Sequence, residues 1–323
     1  MSKLINLFLC GCICFLLPPS YASAVGQPSA ASKSSARSPE YVEPLTGMEF
    51  VLVPGGCFYM GSPLSEIGRY SDESQPHEVC VDDFMISRYE VTNAQFRKYQ
   101  PQHSSRTHEG LSLDDDRQPV VFVSWQDSVE YAKWLSQEAR QSFRLPTEAE
   151  WEMAARAGEE GPRFWDGDAN RACKYANVGD RTAEKGWKNW ARWPVFACED
   201  GSTVSAPVGS YQANALGLYD MLGNVWEWTA DWYDEAEKGD SPGRNDHIAG
   251  LDRVLRGGSW YSGPANARLA RRSWLRPKDK CNSLGFRLVM AIDRREGQKL
   301  PSVAYSVPGG ENGSAANLTQ STP

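Results

Sequence analysis

The sequence predicts an α+β fold, a single compact domain with little regular secondary structure. Helix starts are marked by reciprocal caps, and strand signals are short and scattered. Between Arg156 and Val254 periodicity mostly fails while Gly, Asn, Asp and Trp accumulate. Short elements of both kinds around an irregular interior read as one mixed domain.

In chain order, "EFVLVPG" (49–55) and "HEVCVDDFMIS" (77–87) read as strands from their β-branched and apolar content. Thr92 opens the first helix, because Gln95 stands three residues on and can bond back to the cap. "PVVFVSW" (119–125) is a third strand signal leading into a helix capped by Ser124 with Asp127, whose Val129, Ala132 and Leu135 share one face. Thr147 with Glu150 caps the next helix, whose Trp151, Ala154 and Ala155 should pack inward, and "FRLVMAI" (286–292) is the last strand signal. The irregular stretch must be held by something other than ladders of backbone hydrogen bonds.

The ends have a different character. Residues 1–24 carry Lys3, an apolar run from Leu4 to Leu17 and the small-residue exit Ala22-Ser23-Ala24, which is the pattern of a secretory signal cut after Ala24. The run is short for a membrane span, which needs about 20 residues. A second reading makes Cys12 a lipoprotein anchor. It ranks lower because the apolar run continues past that residue. Residues 25–40 and 293–323 are rich in Ser, Ala, Pro and Gly and read as a disordered linker and tail flanking a domain at 41–292. A periplasmic or secreted protein is expected.

Export predicts an oxidising compartment, and the mature chain keeps Cys57, Cys80, Cys173, Cys198 and Cys281. Cys57 with Cys80 and Cys173 with Cys198 are the expected pairs, each closing a loop of about 25 residues worth roughly 3 kcal/mol. Cys281 is left over. Spacing alone leaves the connectivity open. The net charge of −7 argues against a nucleic-acid partner, since such proteins concentrate positive charge.

Oxygen-rich clusters in the irregular region offer a hard-cation chemistry. Asn224 and Glu227 lie three apart beside Gly223, and Asn177 and Asp200 would be brought together by a Cys173–Cys198 bridge. Asn, Asp and Gly also make plain turns, and local chemistry alone favours turns. The four histidines, His77, His103, His108 and His247, have no paired zinc spacing. "VLRGGSWYSGPANAR" (254–268) places glycines at a bend, where other groups can approach the backbone and line a pocket.

Taken together and in order, "GMEFVLVPGGCFYMGS", "ISRYEVTNAQF", "FRLPTEAEWEMAARAG", "NALGLYDMLGNVWEWTADWY", "RVLRGGSW" and "LGFRLV" resemble the formylglycine-generating enzyme, or sulfatase-modifying-factor, family over about Gly47 to Val289. The resemblance implies a fold related to C-type lectins and two structural calcium ions. One would be held by Asn177 and Asp200 with the carbonyls of Val178 and Ser202. The other would be held by Asn224 and Glu227 with the carbonyls of Gly223 and Val225, walled from water by Trp226 and Trp228. It also implies a peptide groove floored by Gly257, Gly258, Ser259 and Trp260, with Tyr261 beside it. The positions of the family's two copper-binding cysteines align with Ser262 and Ala267, so copper chemistry is not expected, because neither residue offers a soft thiolate.

The leading expectation is therefore a non-catalytic accessory or regulatory factor of the cell envelope that binds a protein or peptide, as in kinase signalling linked to type VI secretion. Its rival is an oxidase or maturation enzyme of copper-independent chemistry acting on a secreted peptide or siderophore-like metabolite, with Ser259, Tyr261, Arg268, Arg271 and Arg272 orienting an acidic substrate. Arginines of this kind more often pair with acidic neighbours. Sugar binding through calcium is a third and weaker expectation.

Overall fold

The computed structural model describes residues 40–186, 194–233 and 250–292, all within one unit, Ala36–Pro323. The signal segment with Cys12, nearly all of the linker and the tail lie outside the described residues.

Among the described residues the strands are β1 (Tyr41–Val42), β2 (Glu49–Val53), β3 (Gly56–Met60), β4 (His77–Val81), β5 (Phe84–Ser87), β6 (Thr107–His108), β7 (Leu111–Ser112), β8 (Phe143–Arg144), β9 (Trp226–Trp232), β10 (Arg253–Arg256), β11 (Arg272–Leu275), β12 (Leu284–Gly285) and β13 (Val289–Met290). One sheet runs β1-β2-β5-β13-β8, and a second runs β11-β10-β9-β12; β3-β4 and β6-β7 are separate hairpins. The helices are α1 (Asn93–Arg97), α2 (Trp125–Ala139), α3 (Glu148–Arg156) and α4 (Arg181–Gly186), with a 3-10 turn at Ala169–Lys174.

The capping boxes expected at Thr92, Ser124 and Thr147 are all present, each side chain accepting from the backbone N–H three residues on. Such caps satisfy amides that the first turn leaves without partners, each worth about 1 kcal/mol. The helix faces turn inward as their spacing predicts. Ala132 and Leu135 of α2 pack with Phe50, Trp228 and Phe286, while Trp151, Ala154 and Ala155 of α3 pack with Phe84, Ile86 and Val289.

Two strand expectations are corrected. "HEVCVDDFMIS" splits into β4 and β5, which belong to different sheets. "PVVFVSW" forms no strand, although Val120, Val121 and Val123 are fully buried. Phe122 sits at φ +57, a left-handed turn that breaks an extended run, and the segment is held instead by Val120 N–H to the Val91 carbonyl and Phe122 N–H to the Cys281 carbonyl.

Both expected disulfides are formed, Cys57–Cys80 across β3 and β4 and Cys173–Cys198 across the irregular region, with Cys281 free. No helix among the described residues is long and apolar enough to cross a membrane.

Candidate functional site

Two glycines make the corner that follows β10. Gly257 and Gly258 lie at φ +96 and +80, angles that side chains rarely adopt. A Cβ on Gly257 would press on Trp151, and one on Gly258 on Ser262 and the Asn266 carbonyl. The Gly257 carbonyl accepts from Gly223 N–H at 2.9 Å, so the corner is tied to the loop that precedes β9.

Arg256 anchors the corner from below. It is fully buried and donates to Glu148 at 2.9 Å, Glu152 at 2.6 Å and the Leu269 carbonyl at 2.5 Å. The guanidinium also lies 5.2 Å from the Trp151 ring. Helix α3 therefore fixes the corner through a buried ion pair, whose rupture typically costs about 3–5 kcal/mol.

The four residues expected to floor a groove, Gly257, Gly258, Ser259 and Trp260, are all buried, and only Tyr261 reaches solvent, at 40% exposure. Trp260 is packed between Tyr261 and His108, with centroids 4.9 and 5.4 Å away. The Tyr261 hydroxyl accepts from Ser283 Oγ at 3.0 Å, and Ser283 Oγ lies 3.7 Å from Cys281 Sγ. Burial pushes both the Tyr261 phenol and the Cys281 thiol above their ordinary ranges, so neither is ionised at neutral pH.

At the two positions of interest in this loop, Ser262 is 2% exposed and Ala267 fully buried. Ser262 Oγ is turned inward and accepts from Ser259 N–H at 2.9 Å. Ala267 N–H donates to the Gly263 carbonyl, which closes the loop on itself. Between them stand a hydroxyl and a methyl. Neither is a ligand for a soft metal.

The arginines that the rival enzyme reading assigned to an acidic substrate are paired within the chain. Arg268 is fully buried against Glu66 and Glu73, Arg271 lies on Asp72 at 3.4 Å, and Arg272 bonds Glu148 at 2.7 Å. They hold loops together.

The two oxygen sets separate under the same test. Around Asn177, the side-chain Nδ2 donates to the Val204 carbonyl at 2.9 Å and to Asn224 Oδ1 at 3.1 Å, while Oδ1 is buried with no hydrogen-bond partner. Asp200 accepts from Val178 N–H and Ser202 N–H, each at 2.8 Å. Burial, with Asp180 adding repulsion, pushes its carboxyl up to about 7. An unused buried amide oxygen on Asn177, with Asp200 bonded to the backbone of the next residue, supplies oxygen donors of the kind a hard cation takes. Cys173, which lies near Asp180 and Asp200, is in a disulfide and offers no thiolate.

The second set does not gather as the sequence reading had it. Both Glu227 oxygens are held by Arg287, at 2.7 and 2.8 Å, and one also accepts from Trp151 Nε1 at 2.7 Å. The Asn224 side chain is occupied by Asn177, Ala206 and Glu90. Trp226 is only partly buried and Trp228 sits in the core, its Nε1 donating to the Val123 carbonyl. Two carboxylates that sequence reasoning missed face Glu227 and Arg287 instead. Glu90 and Asp220 are 1% exposed, and Asp220 Oδ1 has no partner. Burial and mutual repulsion raise the Glu90 acid well above its usual range and push Asp220 up to about 6. The only local hint of Asp220 was its place in "LYDMLGN", where it sits at φ +57. Glu90 lies within the family stretch "ISRYEVTNAQF", but its local sequence did not set it apart as a buried acid.

A profile of the sulfatase-modifying factor enzyme 1-like domain matches residues 35–292. The chain belongs to that family. It is 32% identical to a formylglycine-generating enzyme of Streptomyces coelicolor over 85% of this chain and 98% of that one. It is also 32% identical to the serine/threonine-protein kinase pkn1 of Chlamydia pneumoniae, over 76% of this chain but 38% of the kinase. The solved structure of PvdO from Pseudomonas aeruginosa superimposes with a TM-score of 0.63 at 30% identity, over 80% of this chain and all of that one. The family fold, a single mixed α+β domain with sparse regular structure, is thus the one described above.

Proposed function

We propose that this member of the sulfatase-modifying factor family is an exported, non-catalytic accessory factor of the cell envelope that binds a protein or peptide partner beside the Gly257–Gly258 corner. The observation that carries the reading is the pair Ser262 and Ala267, an inward hydroxyl and a buried methyl. Tyr261, exposed and braced by Trp260 and Ser283, supplies the contact surface. Occurrence of a similar domain within a longer chlamydial kinase supports a role in kinase signalling, of the kind coupled to type VI secretion.

Calcium belongs to this reading as a structural ion. Asn177 Oδ1, Asp200 and the carbonyls of Val178 and Ser202 would hold one ion, whose charge offsets the buried carboxylate. A second would be drawn to the excess of Glu90, Asp220 and Glu227 over Arg287, with the unpartnered Asp220 Oδ1 in the place first given to Asn224. Gly223 and Val225 would contribute carbonyls as before.

The test compares the wild-type mature chain with Tyr261→Ala in crosslinking capture from envelope extract, alongside incubation of the wild type with Cu(I) and a sulfatase-type cysteine peptide. Gly258 is a poor probe, since any side chain there strains the corner. Loss of the captured partner in Tyr261→Ala, with no aldehyde formed, is the expected outcome. Copper-dependent aldehyde formation overturns the reading. Oxidation of a secreted peptide or metabolite without copper would instead favour an enzyme using the Ser259, Tyr261, Ser283 and Cys281 row.

A further inference from the structure

The loop between β3 and β4, residues 61–76, turns its apolar side chains outward and its acids inward. Ile67 is 94% exposed, Leu64 70% and Tyr70 37%. The loop is held by its own bonds: Ser62 N–H donates to the Ser74 carbonyl at 3.0 Å, Glu66 N–H to the Pro63 carbonyl at 2.9 Å, and Ser62 Oγ to the Glu73 carboxylate at 2.6 Å. Gly68 lies so close to Ala265 that a Cβ there would stand 3.1 Å from the Ala265 Cα. The loop therefore borders the segment that follows the Gly257–Gly258 corner. Large apolar side chains displayed by a fixed loop mark an interaction surface.

The acids here are consumed, and two cations are not. Glu66 and Glu73 hold the buried Arg268, and Asp72 holds Arg271, which stacks on the Tyr70 ring at 3.8 Å. Among the described residues Arg69 donates only to the carbonyls of Ser62 and Glu73. One residue along from Ala265, the Pro264 carbonyl accepts from Arg163 at 2.5 Å; Arg163 Nε is buried with no partner, and no carboxylate among the described residues accepts from this guanidinium. Glu66 acts on the charge of Arg163 from nearby but gives its carboxylate to Arg268. Arg69, Arg163, Arg268 and Arg271 thus meet only Glu66, Asp72 and Glu73, a local positive excess on a chain whose net charge is −7.

We propose that this surface docks an acidic peptide segment of the partner, its aliphatic side chains on Leu64, Ile67 and Tyr70 and its carboxylates on Arg69 and Arg163. The inference rests on the partner reading above and supplies that partner's chemistry. A guanidinium whose donors meet only carbonyls keeps a charge that a carboxylate completes, and a loop already fixed loses little entropy on binding. An anionic bilayer fits less well. Two arginines are fewer than the basic clusters that hold proteins to such surfaces, and the net negative chain is repelled by them.

The experiment selects a random dodecapeptide display library on the immobilised mature chain, after depletion on Ile67→Glu, and measures the most enriched peptide by fluorescence anisotropy. Enrichment of Asp and Glu beside Leu, Ile or Phe is expected. Ile67→Glu should weaken that peptide by about tenfold or more and Ile67→Lys by less than about threefold, and added salt should weaken it on the wild type. Both variants should melt like the wild type, because Ile67 lies almost wholly in solvent. An empty selection overturns the proposal, as does enrichment without acids or equal loss in the two variants, since apolar contact alone would explain either. Flotation with phosphatidylglycerol vesicles that is lost in Ile67→Glu would overturn it in favour of lipid. In capture from envelope extract, a partner lost in Tyr261→Ala but retained in Ile67→Glu removes this surface and leaves the partner reading intact, whereas no partner captured by the wild type removes the partner reading itself.

Discussion

Replacing Arg287 by methionine should be among the most damaging single changes in the domain. Arg287 is fully buried, grips Glu227 through two bonds of 2.7 and 2.8 Å, and donates to the carbonyls of Ser87, Arg88 and Tyr219. Methionine fills the stem but leaves Glu90, Asp220 and Glu227 facing one another with no counter-charge. Removing one partner of a buried pair costs about 3–5 kcal/mol. For a domain of this size each kcal/mol lowers Tm by about 2–4 °C, so the loss should be about 6–20 °C. Circular-dichroism melting at neutral pH measures it. The double variant Arg287→Met/Glu227→Gln should recover part of the loss, because one of the stranded charges is gone. A shift below about 2 °C in Arg287→Met would refute the claim that this guanidinium neutralises the buried acids.

Chelation should lower Tm more at about pH 8 than at about pH 5, and added calcium should restore it: the Asp200 acid, up to about 7 when folded against about 3.9 unfolded, holds its proton longer in the native state, so stability without the ion falls as pH rises between those values. A pH-independent effect of chelator would remove Asp200 from the ion. Converting Cys173 and Cys198 to serine should cost about 3 kcal/mol by loop entropy, read in the same melt, while peptide mapping without reduction should find only Cys281 alkylated after unfolding. Mature protein dialysed against Cu(I) should retain no stoichiometric copper by mass spectrometry of the native protein; one tightly held ion would contradict the Ser262 and Ala267 assignment.

Local physics made part of this legible. Thr92, Ser124 and Thr147 announce helices because a cap and its reply lie three residues apart, and the inward faces of α2 and α3 follow from helical spacing. The disulfide pairs were expected from nearness in sequence, although spacing alone left the connectivity open until the structure joined Cys57 to Cys80 and Cys173 to Cys198. The buried ion pairs were not, since Arg256 meets Glu148 and Glu152 more than a hundred residues away, and a charged residue in a strand looks like surface until its partner arrives. "PVVFVSW" misled for a related reason. An apolar run reports burial, and the turn at Phe122 that denies it a sheet partner is invisible in composition. In the candidate site, glycines at 257 and 258 signalled the bend, but burial of the whole corner except Tyr261 depended on α3 rising beneath it.

The seven residues from Leu284 to Met290 join both sheets: β12 lies parallel to β9, and β13 is inserted between β5 and β8, with Arg287 between them. Synthesis from the amino terminus thus delivers the keystone last. A nascent chain stopped before residue 284 has β8 cut off from the rest of its sheet and three buried acids without their cation. Closure of the domain must wait until those residues have emerged, and pairings that span two hundred residues make that closure slow. Deleting residues 284–290 should therefore yield a chain that stays open, rather than a smaller domain.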